Sequence, residues 1–227
     1  MIIIIIITNN AIIIGGIGLP DRDYYFDEDK QEKRSKYVEY IAFILHQLGQ
    51  HDTDKYSRYK DIMICQEIAQ TIFEFEKSIA STHLTRAIAR DPLVTYNKMS
   101  IMKLFQSSLP MITWSSYLTI GSNIQQQQPF VNWIQYFEFI GKSELMMGDI
   151  NVTSLNAIKS IPMLVKKYAS TLSDYLLYHS INSFADHLPN VFSDAKFNFF
   201  EKELKGTLQQ LPRWKRALQS LEYALGR

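Results

Sequence analysis

A single cysteine, Cys65, among 227 residues excludes any disulfide within the chain. It falls in an apolar helical pattern, where a thiol serves as a small buried hydrophobe rather than a reactive group. An excess of one charge is also missing. Lys and Arg total 24 against 23 Asp and Glu, a net charge of +1, so no long-range field draws the chain to nucleic acid or an anionic membrane. Arg213, Lys215 and Arg216 beside Trp214 form one short basic cluster, a poor basis for RNA binding in a near-neutral chain. No apolar run is long enough to span a bilayer. The longest, Ile2 to Ile7, is broken by Thr8-Asn9-Asn10 before Ala11 to Ile14 resumes it, and no Lys or Arg precedes it as a signal peptide would require.

The chemistry of common active sites is missing too. The five histidines, His46, His51, His83, His179 and His187, form no His-Glu-x-x-His pair, the helical i,i+4 arrangement that sets two imidazoles on one zinc. Each reads as a surface or hydrogen-bonded histidine. No Gly-x-Ser-x-Gly elbow or phosphate-binding loop occurs, and Gly15-Gly16-Ile17-Gly18 runs into a proline turn rather than a helix. No catalytic, cofactor-binding or metal-ligating residue is therefore assigned. Glu74, Glu76 and Asp174 lie in helical patterns, where solvated charge is expected. Asn151-Val152-Thr153 is a glycosylation triplet of a kind that arises often by chance.

What is present is a chain 46% hydrophobic, enough for one or two domains with a sizeable core. β-Branched runs at Ile2–Ile7 and Ala11–Ile14 predict one or two buried strands, and this low-complexity start fits a chain that begins inside a longer protein. Gly15 to Tyr25 is a corner: the glycines allow a sharp bend, Pro20 fixes its own φ, and Asp21 and Asp23 offer oxygens to free amides.

From Asp27 onward the period is 3.6 and the fold is expected to be mainly α, with a short β element near the N-terminus. Tyr37, Tyr40, Ile41, Ile44, Leu45 and Leu48 mark one helix closed by Gly49; Ile62, Cys65, Ile68, Ala69, Ile72, Phe75 and Ile79 mark another over 54–80. Asp91-Pro92 predicts a capped helix start, and Ser100 caps a short helix through Phe105. Trp114 and Trp133 head two copies of a short aromatic pattern separated by a polar linker at 125–129. Residues 149–153 read as a strand or extended link, with helices over 154–166 and 171–187, the second with Tyr175, Tyr178, Ile181 and Ala185 on its stripe. Phe192, Phe197, Phe199 and Phe200 cluster before a bend at Gly206, and a last helix runs from Pro212 to a C-cap at Gly226. The chain thus divides into a strand and turn segment over 1–26 and a helical lobe over 27–227.

Several of these segments carry a resemblance. Gly16-Ile17-Gly18-Leu19-Pro20-Asp21-Arg22-Asp23-Tyr24-Tyr25 resembles the N-terminal region of neprilysin-like zinc metallopeptidases, the neprilysin and endothelin-converting-enzyme type. Glu74-Phe75-Glu76-Lys77-Ser78-Ile79-Ala80, Asp91-Pro92-Leu93 with Tyr96-Asn97-Lys98-Met99-Ser100, and Trp133 with Tyr136 follow in that family's order. So do Ile150-Asn151-Val152, Asp174-Tyr175-Leu176 and Pro212-Arg213-Trp214-Lys215-Arg216. The stretch 107–129 departs from the pattern and reads as an insertion. Many exported members have a cysteine after the Arg-Trp-x-Arg pattern, where this chain has Ala217.

The resemblance implies part of a non-catalytic helical lobe that limits access to a cavity and so favours short peptides. Its implied partners are the catalytic lobe of the same parent enzyme and, for that parent, peptide substrates, with no nucleic acid and no membrane segment in this chain. Zinc is expected in the full-length parent and no cofactor in this chain, which by itself would not cut peptides. The alternative is a stand-alone helical protein-interaction module. A lobe of a longer enzyme should also leave an apolar face open, formed here by Ile2–Ile7, Ile12–Ile14 and the Phe197, Phe199 and Phe200 cluster. Compartment is not assigned.

Overall fold

In the computed structural model the described residues are 5–8, 11–51, 54–100, 103–104, 138, 141 and 148–226. The Trp114 and Trp133 patterns, the 125–129 linker, Ile2–Ile4 and Phe105 lie outside them. The fold is mainly α, as the stripe predicts. Two compact units make it up: residues 1–30 with 70–179, and residues 31–69 with 180–227.

The first unit contains a four-stranded sheet. Strands β1 (Ile5–Thr8) and β2 (Ala11–Ile14) form an antiparallel pair with Ile5 opposite Ile14. The expected N-terminal β element is therefore real, and it recruits distant chain. Strand β4 (Asp149–Val152) pairs parallel to β2, and β3 (Lys98–Ser100) pairs antiparallel to β4, giving the order β1-β2-β4-β3. Alternation along β3 and β4 turns Met99, Ile150 and Val152 inward. Asn97 secures the junction. Its amide donates to Asn151 Oδ1 at 2.7 Å, and its side chain donates to the Val152 carbonyl at 3.0 Å. Asn151 is thus engaged in the sheet rather than displayed on a loop, which argues against the triplet as a modification site.

Helix α1 (Asp23–Phe26) follows the glycine corner, and a 3-10 turn covers Glu28–Lys30. Helix α4 (Arg86–Ala89) and helix α5 (Pro92–Thr95) are short; Asp91 caps α5 by accepting from the Leu93 amide at 2.9 Å, with Pro92 in its first turn. Ser100 Oγ accepts from the Lys103 amide, the capping bond expected there. Helix α6 (Leu155–Lys167) buries Ala157, Ile158, Ile161 and Val165. Phe75, on helix α3 (Ile62–Ala80), has Tyr168 and Tyr175 rings at 5.0 and 4.9 Å; Tyr175 belongs to helix α7 (Leu172–Phe184).

The second unit is built on helix α2 (Gln31–His51), whose Tyr37, Tyr40, Ile41, Ile44 and Leu45 are buried. Gly49 does not close this helix. A Cβ there would come within 2.5 Å of the Tyr59 carbonyl carbon, so the glycine serves close approach of the Ser57–Lys60 3-10 turn. Helix α3 starts at Ile62 rather than near 54, and Ile62 is exposed although the rest of its predicted stripe is buried. Cys65 is fully buried, its thiol donates to the Tyr59 carbonyl, and burial beside Asp61 pushes it up to about 11.

A 3-10 turn over Ala185–His187 precedes helix α8 (Asn190–Lys196), which continues into a π-helical segment over Phe197–Glu203. Phe199 stacks on Tyr37 and Tyr40, with centroids at 5.4 and 5.3 Å, and Phe200 meets Tyr40 edge-on. The aromatic cluster therefore does not form the open apolar face expected of it: Phe199 is buried, and Phe197 and Phe200 are half-buried. Gly206, at φ +77°, makes the predicted bend, and helix α9 (Arg213–Ala224) ends before Gly226 at φ +69°.

Candidate functional site: a carboxylate beneath the glycine corner

The bends of the Gly15–Tyr25 corner take its amides out of regular structure, so they need partners from elsewhere. Glu76 supplies them. Its position on α3 places the carboxylate inside the first unit with no solvent exposure. The Gly18 amide donates to Oε2 at 3.1 Å, and the Tyr25 hydroxyl donates to the same oxygen at 2.6 Å. The Gly18 and Leu19 amides also approach the Tyr25 oxygen at 3.1 Å each. On the other side, His179 Nε2 lies 2.7 Å from Glu76 Oε1. Tyr175, one turn earlier on α7, donates its hydroxyl to the Gly16 carbonyl at 2.9 Å.

Electrostatics keep these tyrosines as donors. Burial first, and then the Glu76 charge, hold Tyr25 well above its usual range, and the same two causes raise Tyr175. The carboxylate is thus filled by an amide, a phenol and an imidazole. This arrangement fixes a backbone; it leaves no oxygen directed at open space for acid–base work. His83 lies by the same corner. Burial lowers its pKa despite a hydrogen bond to the Gly15 backbone, and its Nε2 has no hydrogen-bond partner among the described residues.

This overturns one expectation. Glu76 and Asp174 are buried rather than solvated, while Glu74 is half-buried and takes a bond from Gln70 at the surface. An acidic residue inside an apolar helical stripe carries a burial signal, since Glu76 directly follows the stripe residue Phe75. The other histidines are dispersed: His46 meets the Tyr59 carbonyl at 3.3 Å, the His51 ring lies 5.8 Å from that of Phe192, and His187 is exposed. Among the described residues no group of three or more His, Cys, Asp or Glu could hold a metal ion. A groove of about 800 Å³ in the second unit is lined by Asp186, Lys196, Phe200 and Arg216, and both cations pair with Asp186.

Gly18, Tyr25, Glu76 and Tyr175 come from three separate sequence motifs, and the fold brings them to one point. The cluster sits in a mainly α lobe with a small mixed sheet, and comparison with known proteins supplies the class: the N-terminal region of a metallopeptidase. The N-terminal model of peptidase family M13 matches residues 7–227, and the chain belongs to that family. Endothelin-converting enzyme 1 of Rattus norvegicus is 27% identical over 213 residues, covering 93% of this chain and 24% of the relative. An endothelin-converting enzyme homolog of Locusta migratoria is 24% identical over 204 residues, covering 85% and 24%. The chain spans about a quarter of the length of these relatives. Among solved structures, the zinc metalloprotease Zmp1 of Mycobacterium tuberculosis in its open state has a TM-score of 0.76 at 19% identity, covering 95% of this chain and 29% of that one. Its inhibitor complex has a TM-score of 0.69 at the same identity and coverage. The structural likeness extends to the fold.

Proposed function

We propose that this chain acts as the non-catalytic helical lobe of an M13 zinc metalloendopeptidase that hydrolyses short peptides, with the lobe limiting access to the cavity. The observation that carries the reading is the family match over residues 7–227 in a sequence without a His-Glu-x-x-His pair. Catalytic zinc takes three protein ligands and an open position, and the histidines described above do not assemble such a set. The fully buried Glu76 carboxylate instead holds the Gly18 corner in place, a scaffolding task. On this reading the partner is the catalytic lobe of the same parent enzyme, peptides are the parent's substrates, and zinc is the parent's cofactor. No described helix is long and apolar enough to cross a membrane.

Metal analysis and a peptide-hydrolysis assay on the purified chain test this together. The expected result is no stoichiometric zinc and no chelator-sensitive cleavage. One tightly held zinc per chain with chelator-sensitive hydrolysis would overturn it.

A further inference from the structure

We draw no further inference here: the strongest candidate, the groove in the second unit walled by the Phe197–Glu203 π-helical segment and helix α9, carries nothing because nothing in the structure shows what covers it.

Discussion

In the first unit a bent stretch of backbone is held by a buried carboxylate; in the second, the long helix α2 is held by stacked rings. The Gly15–Tyr25 corner leaves amides unpaired, and Glu76 with Tyr25 meets them directly. Helix α2 satisfies its own backbone, so Tyr37 and Tyr40 are free to offer their rings to Phe199, while the Tyr40 hydroxyl donates to Asn182 Oδ1 at 2.7 Å. The lesson concerns backbone accounting: polar groups are buried where the chain turns, and rings where it is regular. The two regions should then respond differently to substitutions that keep shape.

The largest effect is expected at Glu76. Glu76→Ala leaves the Gly18 amide and His179 without their carboxylate and should cost about 3–5 kcal/mol in denaturant unfolding. The near-isosteric Glu76→Gln should still cost about 1–3 kcal/mol, because it replaces charge-assisted bonds by neutral ones. It also keeps a single acceptor oxygen, so with that oxygen towards Tyr25 and Gly18 its nitrogen faces His179. In the ring cluster, Phe199→Leu keeps most of the volume and should cost less than about 1.5 kcal/mol. A Gln variant as mild as Phe199→Leu would break the contrast.

Gly49→Ala sharpens the second half of the comparison. Packing on α2 is set by backbone proximity as well as by rings, and a methyl group 2.5 Å from the Tyr59 carbonyl carbon must push the 3-10 turn away. The expected loss is about 1–3 kcal/mol, whereas Gly49 as a mere helix terminator would tolerate or gain from alanine.

The smallest effect belongs to His83. Its pKa in the folded chain is lowered, mainly by burial. The neutral form is therefore favoured by folding. Stability from this group is present above the ordinary histidine value of about 6.5 and is lost as pH falls through the folded value. Titration of the His83 ring by nuclear magnetic resonance should show a midpoint below that ordinary value; a midpoint above it would contradict the burial of this side chain.

Much of this fold can be read from periodicity. Tyr37, Tyr40, Ile41, Ile44 and Leu45 of the α2 stripe, the buried part of the α3 stripe, and the set Tyr175, Tyr178, Ile181 and Ala185 face inward, with Leu48 half-buried, because 3.6-residue spacing reports burial directly. The parallel pairing of β2 with β4 could not be read, since no local pattern in Ala11–Ile14 refers to residues 140 positions away. Glu76 was misread for a related reason. Its donors lie 58 and 51 residues earlier and 103 later in the chain, so the helix alone shows a charge on the apolar stripe but not the groups that meet it. Three family motifs contain four of the cluster's residues, Gly18, Tyr25, Glu76 and Tyr175, yet their order in sequence does not disclose that they meet.

The central claim is that Glu76 and Tyr25 fix the corner through its amides, and hydrogen exchange at Gly18 and Leu19 tests it most directly. Both amides should be strongly protected in the native chain. In Glu76→Gln the protection should fall at these two positions by far more than at the α2 amides of Ile41, Ile44 and Leu45. Rapid exchange at Gly18 and Leu19 in the unmodified chain, or an equal loss of protection in α2, would contradict the account.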